Sequence, residues 1–70
     1  QKVLNQELSI KMEEALNLLS EEHRAILVMR EFEELSYDEI SEITGVPKGT
    51  VMSRIHHARI HLKEIMENYN

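Results

Sequence analysis

The residues with the most versatile side-chain chemistry lie close together in the last third of the chain. Between Gly49 and Arg59 the sequence GTVMSRIHHAR contains one serine, two histidines and two arginines. These side chains donate or accept hydrogen bonds, and the arginines pair well with phosphate oxygens. No acid lies between Glu42 and Glu64. The stretch is therefore suited to non-covalent contact with phosphate groups.

Catalysis and metal binding are less well supported by the same residues. His57 and His61 are four residues apart and, with Glu64, have the spacing of one edge of a metal site on a helix. Nothing else in the sequence orients them, and we expect a solvated helix face instead. Surface glutamates in a small helical chain make no paired-carboxylate or Ser-His-Asp arrangement. We predict no enzyme, no metal, no cofactor and no small-molecule substrate.

A helix-turn-helix pattern positions this stretch. Ser36 lies three residues before Glu39, which is the capping-box spacing at a helix start. Gly45 stands where a left-handed residue ends a helix, and Pro47 suits the first turn of the next one. Two helices joined by about four residues that include a glycine are typical of a helix-turn-helix.

The last helix, predicted over residues 47–67, has two distinct sides. At about 100° per residue, the apolar side consists of Val51, Ile55, Ala58, Leu62, Ile65 and Met66. The opposite side consists of Gly49, Met52, Ser53, His56, His57, Ile60 and Lys63, with Arg54 and Arg59 on the two flanks. We expect the apolar side in the core and the polar side in solvent.

Three shorter helices are predicted before it, over residues 5–19, 21–32 and 36–44. The apolar stripe of the first consists of Leu8, Met12, Ala15, Leu16 and Leu19. Ile40 and Ile43 form one apolar edge of the third. The predicted fold is all-α, with four helices sharing one core.

Length and composition limit the class of protein. The 70 residues make one small domain, predicted over residues 1–70, and 41% hydrophobic with 30% charged residues is ordinary globular composition. No apolar run approaches the roughly 18 residues of a membrane span. The absence of cysteine is compatible with a reducing cytoplasm. Because the chain begins with Gln rather than Met, we expect it to be a piece of a longer protein.

The net charge of −5 at first argues against nucleic acid, because phosphate binding depends on Lys and Arg. Its distribution changes that conclusion. Residues 1–45 contain eleven acids and four bases, a net charge of −7, whereas residues 46–70 contain two acids and four bases, a net charge of +2. The last helix therefore belongs to the mildly basic part of the chain.

Three motifs follow one another along residues 12–66: ALNLLSEEHR at 15–24, LSYDEI at 35–40 and GTVMSRIHHAR at 49–59. They are similar to A-L-x-x-L-P-x-x-x-R, L-S-Y-x-E-I and G-T-V-K/R-S-R-hydrophobic-x-R-A-R. These patterns, in this order, resemble region four of bacterial sigma factors of the extracytoplasmic-function group.

This resemblance implies the promoter-recognition domain of an alternative sigma factor, working in the cytoplasm. The last helix would read the minus-thirty-five element of double-stranded promoter DNA, and the first helices would bind the flap of the RNA polymerase β subunit. An anti-sigma factor is a further expected partner. Two alternatives remain: a sigma-like decoy that occupies an anti-sigma factor without binding DNA, and the output domain of a two-component regulator.

Twelve residues are candidates for DNA contact. Ser53, His56 and His57 are expected to reach base edges, because the early exposed turns of a recognition helix lie in the major groove. The start of the helix offers unpaired N–H groups to phosphate. The full set is Arg30, Ser36, Tyr37, Lys48, Gly49, Thr50, Met52, Ser53, Arg54, His56, His57 and Arg59.

Two of these candidates, Arg54 and Tyr37, have a competing structural role. Arg59 is expected to contact phosphate, whereas Arg54 is equally suited to phosphate and to an acid on a neighbouring helix, such as Glu39 or Glu31. Tyr37 is expected to be a half-buried packing ring.

Several residues depart from the family patterns. Met52 and His57 stand where Lys or Arg is common, so two charge-assisted contacts are weakened and DNA affinity should be low. Glu34 stands where the family often has glycine, and a left-handed glutamate there costs about 1 kcal/mol. Ser41 stands in place of a small alanine, which is a tolerable change if its hydroxyl bonds back to its own helix.

Overall fold

Helices make up almost all of the described chain. A computed structural model describes residues 2–68, with side chains described over residues 10–68. The elements in chain order are α1 (Lys2–Leu18), α2 (Glu21–Leu27), a π-helical turn (Val28–Phe32) that continues α2, α3 (Tyr37–Thr44) and α4 (Lys48–Glu67). The predicted all-α class, with a helix-turn-helix and a long last helix, is confirmed. None of the described helices is long and apolar enough to cross a membrane.

The core lies along one side of α4, which packs against α1, α2 and α3. Its buried side chains are all apolar, and they are Ala15, Leu16, Leu19, Ile26, Leu27, Ile40, Val51, Ile55 and Ala58. The outer part of the predicted apolar side, Leu62, Ile65 and Met66, is only half-buried. Leu62 and Ile65 still pack against the buried cluster. The predicted core residue Leu8 lies outside the described side chains.

Side-chain caps begin two of the helices. The Ser20 hydroxyl accepts a hydrogen bond from the His23 N–H at 3.2 Å. At the start of α3, the Glu39 N–H donates to the Ser36 hydroxyl at 3.0 Å, and the Ser36 N–H donates to the Glu39 carboxylate at 2.8 Å. The predicted capping box is thus confirmed, with Ser36 just outside the helix.

The turn between α3 and α4 is held by Gly45 and Ser41. Gly45 has a φ of 77°, as predicted, and its N–H donates to the Ser41 carbonyl at 2.8 Å. The Ser41 hydroxyl donates forward to the Val46 carbonyl at 2.5 Å rather than back to its own helix. Pro47 precedes α4, which begins at Lys48. Three residues therefore connect the two helices.

Of the two isoleucines predicted to form the apolar edge of α3, one is buried and the other is exposed. Ile40 is fully buried, but Ile43 is 63% exposed. The two side chains lie about 60° apart around the helix, and α3 packs mainly against α4 and the π-helical turn. That contact covers Ile40 and leaves Ile43 in solvent.

The second helix ends in a wider turn than the plain helix that was predicted. The Glu33 N–H donates to the Val28 carbonyl at 3.0 Å, five residues back, and the Leu35 N–H donates to the Met29 carbonyl at 3.0 Å. Between these two bonds Glu34 has a φ of 57°, so this turn does contain a left-handed residue. This geometry turns the chain toward α3.

Replacing Glu34 by glycine should raise the free energy of unfolding by about 0.5 to 1 kcal/mol, because glycine adopts a positive φ without steric strain. Urea denaturation of the 70-residue chain measures the change. The matched control is Glu33→Gly, since Glu33 has a φ of −88° and gains nothing from glycine. It should lose stability, and a loss in both variants would contradict the strain at Glu34.

Candidate nucleic-acid interface

The side of α4 opposite the core is open to solvent. Ser53, His56 and Arg59 are all exposed, as predicted, and Met52 is 48% exposed. The exposed residues of this side are Gly49, Met52, Ser53, His56, His57, Ile60 and Lys63. Their hydrogen-bonding groups are the Ser53 hydroxyl, the two imidazoles and the Lys63 ammonium, which span about three helical turns.

The two adjacent histidines have different surroundings. The His57 Nδ1–H donates to the Ser53 carbonyl at 3.0 Å, which leaves Nε2 of a neutral ring as an acceptor. The His56 ring meets the His57 ring edge to face, with centroids 5.6 Å apart. An Nε2 acceptor on this exposed residue suits the amino group of cytosine or adenine in the major groove.

The start of α4 combines backbone donors with one cation. The first N–H groups of a helix have no partner within the helix, and here they belong to exposed Lys48 and Gly49 and half-buried Thr50. Lys48 Nζ lies 3.4 Å from Asp38 Oδ1 in the first turn of α3. This helix end can bind an anion, and the Asp38 carboxylate already lies next to its lysine.

Arg54 forms an ion pair with a residue that the sequence did not indicate. Its Nη1 lies 3.2 Å from Glu22 Oε2, so neither Glu39 nor Glu31 is its partner. The flank of α4 that carries Arg54 faces the first turn of α2, which is where Glu22 lies.

Arg59 is also paired, although we expected it to be available for phosphate. Its Nε donates to Glu31 Oε2 at 2.8 Å, and its Nη2 reaches the same oxygen. The arginine side chain remains 50% exposed. Sequence spacing does not show this contact, because Glu31 and Arg59 are 28 residues apart.

Arg30, Tyr37 and Ser36 form a separate group at the connection between the π-helical turn and α3. The Arg30 guanidinium lies 4.6 Å from the centroid of the Tyr37 ring, and its Nη1 donates to the Leu35 carbonyl at 2.8 Å. The expected half-burial of Tyr37 is confirmed. These side chains brace the connection, and the Ser36 hydroxyl serves as the cap of α3.

An apolar groove lies between α1, the π-helical turn and α4. Its lining residues are Met12, Leu16, Leu27, Glu31, Phe32, Arg59 and Leu62. Phe32 is 60% exposed, and sequence reasoning did not single it out. Helical periodicity could not place it, because the π-helical turn changes the direction of side chains after Val28.

The histidines do not form a metal site in the described part of the chain. The His61 ring packs edge to face against His23 of α2, with centroids 5.0 Å apart. Within residues 10–68, no three side chains of His, Cys, Asp or Glu converge on one point that a metal ion could occupy.

The fold and its exposed helix face define a helix-turn-helix domain. Residues 9–62 match the family model described as sigma-70, region 4. The chain belongs to this family, and the resemblance to region four of extracytoplasmic-function sigma factors is confirmed.

The similar curated proteins are sigma factors. The chain is 46% identical over 48 residues to RNA polymerase sigma factor YlaC of Bacillus subtilis, covering 69% of the chain and 28% of that protein. It is 40% identical over 63 residues to ECF RNA polymerase sigma factor SigE of Mycolicibacterium smegmatis, covering 90% of the chain and 24% of that protein. It is 39% identical over 66 residues to ECF RNA polymerase sigma-E factor of Haemophilus influenzae, covering 94% of the chain and 33% of that protein. The chain therefore spans between a quarter and a third of their length.

Replacing Arg30 by alanine should lower the free energy of unfolding by about 2 kcal/mol, since it removes a charge-assisted hydrogen bond and a cation–π contact. Thermal and urea denaturation measure the loss. Arg24→Ala is the control, because among the side chains of residues 10–68 Arg24 pairs only with Glu21 of the same helix, at 3.9 Å. That variant should change stability by less than about 0.5 kcal/mol. Equal losses would mean that Arg30 has no bracing role.

Proposed function

We propose that this chain is the promoter-recognition part of an alternative sigma factor, and that it directs transcription initiation by placing α4 in the major groove of a minus-thirty-five element. All 70 residues would then form one region-four domain. The observation that carries the proposal is the exposed side of α4, which is free of acids from Gly49 to Lys63, in a member of the sigma-70 region 4 family. Such a domain acts without catalysis, in the cytoplasm where bacterial promoters are transcribed.

The proposed contacts divide into those that position the domain and those that read the sequence. Unpaired N–H groups at the start of α4 would bind a phosphate and set the register of the helix on the duplex. Ser53, His56 and His57 would read base edges, each good pairing giving about 1 to 3 kcal/mol of discrimination. Met52 would contact a thymine methyl group. The proposed backbone contacts are Arg30, Ser36, Tyr37, Lys48, Gly49, Thr50, Arg54 and Arg59.

The apolar groove is the proposed site for RNA polymerase. A groove between helices suits the apolar side of a partner helix, and the flap of the β subunit is the partner that we propose. Exposed Phe32 adds an aromatic side chain of the kind that often dominates binding energy. An anti-sigma factor is a further proposed partner, which would compete for the same exposed surfaces.

The decoy function has one observation in its favour. Lys48, Arg54 and Arg59 each lie against a carboxylate, which lowers their attraction for DNA. The alternative of a two-component output domain has no such support, and the family match favours a sigma factor over it.

DNA binding is tested with a duplex selected from a randomised pool and an unrelated duplex of the same length. Ser53→Ala and His56→Ala should each weaken binding to the selected duplex by about 1 to 3 kcal/mol and change binding to the unrelated duplex much less. Fluorescence anisotropy at low salt measures the affinities.

The control for this experiment is Asn17→Ala, an equally small truncation at an exposed position on α1. It should leave both affinities unchanged. If the wild-type chain selects no duplex, and its Ser53 and His56 amide resonances do not shift on DNA addition, promoter recognition is excluded and the decoy function is favoured.

The groove is tested with purified RNA polymerase core enzyme and with an isolated flap segment of its β subunit. Phe32→Ala should weaken binding by about 1 to 2 kcal/mol, as expected for an aromatic side chain at an interface. Leu18→Ala is the control, because Leu18 is as exposed as Phe32, at 63% against 60%, and does not line the groove. Equal effects of the two variants would place the polymerase contact elsewhere.

A further inference from the structure

Three cations of α4 each meet a carboxylate from a different neighbouring element. Lys48 pairs with Asp38 of α3, Arg54 with Glu22 of α2, and Arg59 with Glu31 of the π-helical turn. These cations lie within the first twelve of the 20 residues of α4. A carboxylate therefore lies next to each of these three cations, over more than two helical turns of the proposed DNA-binding surface.

A carboxylate next to a cation changes what that cation can do for DNA binding. Association with DNA gains free energy when a Lys or Arg side chain neutralises a phosphate and releases a bound counter-ion. The carboxylate of an ion pair offsets the positive charge of the arginine and so weakens its attraction for a phosphate. A phosphate that approaches the arginine is also repelled by the carboxylate. Exposed ion pairs are individually weak, so a phosphate can replace the carboxylate as the partner of the cation. The repulsion between phosphate and carboxylate opposes this exchange.

We propose that Glu22, Glu31 and Asp38 are resident counter-charges that limit the sequence-independent affinity of the domain for DNA. Phosphate contact by Arg54, Arg59 and Lys48 then requires the exchange of a carboxylate for a phosphate. This inference rests on the proposed function, since it concerns regulation of the same surface. It assigns to the acids of the protein body a role beyond helix capping and solubility.

Glu31 is the strongest of the three counter-charges. Both Nε and Nη2 of Arg59 converge on its Oε2, whereas the other two pairs are single contacts at 3.2 and 3.4 Å. Asp38 and Glu22 also lie in the first turns of α3 and α2, where a negative charge stabilises the helix. Substitution of Glu31 therefore isolates the effect on DNA most cleanly.

The test compares Glu31→Gln with Glu33→Gln in the 70-residue chain. Both variants remove one negative charge from the same segment, and Glu33 has no ion pair with any side chain in residues 10–68. Affinity for the selected and the unrelated duplex is measured by fluorescence anisotropy between about 50 and 200 mM salt. Circular dichroism verifies that both variants are folded.

Glu31→Gln should raise the affinity for both duplexes by the same factor, about three- to tenfold at low salt. The slope of log affinity against log salt should steepen by about one, as expected for one additional phosphate contact. Glu33→Gln should raise affinity by less than about twofold, since it changes only the distant field. Adding Arg59→Gln to Glu31→Gln should abolish the gain, because the gain acts through Arg59.

The counter-charge role is overturned if Glu31→Gln binds DNA no better than the wild-type chain, if Glu33→Gln matches its gain, or if the gain survives loss of Arg59. Promoter recognition stands in each of these cases as long as the wild-type chain still prefers the selected duplex. If no variant binds either duplex, both the counter-charge role and promoter recognition fail.

Discussion

Burial of Val51, Ile55 and Ala58 against the other helices is the constraint on which the rest of the structure depends. These residues lie on the same helix as Ser53 and His56, so the register that buries the first set must expose the second. The same helix, α4, therefore carries both the buried core residues and the exposed residues proposed to contact DNA. A side chain on the outer side of α4 is held by the core behind it rather than by a loop, and this gives a surface of fixed shape.

Two left-handed residues hold the neighbouring elements around α4. Glu34 turns the chain from the π-helical turn into α3, and Gly45 turns it from α3 into α4. Glycine adopts this backbone conformation without strain, whereas glutamate does not. The hydrogen bond from Arg30 to the Leu35 carbonyl and its stacking on Tyr37 help to hold the strained turn closed. Local strain is thus balanced by specific contacts across the connection.

The acids of this domain have more than one electrostatic role. Glu22 and Asp38 lie at helix starts, where negative charge is favourable, and each also reaches a cation of α4. Glu31 does not lie at the start of an α-helix, and its carboxylate forms an ion pair with Arg59. The stability of the body and the affinity of its exposed helix are therefore coupled through the same carboxylates. A net charge of −5 does not exclude a DNA partner. Repulsion between the carboxylates and the phosphates nevertheless makes each phosphate contact less favourable.

The sequence by itself determined the helical class, the cap residues Ser36 and Gly45, and the two sides of α4. These features depend on residue types within a few positions of one another, where backbone geometry and helical periodicity act. Only the tertiary structure decided that Arg54 pairs with Glu22 and Arg59 with Glu31, that Ile43 is exposed, and that Phe32 lines a groove. Each of these depends on how helices distant in sequence are placed against one another, and the π-helical turn after Val28 alters that placement in a way that periodicity cannot reveal.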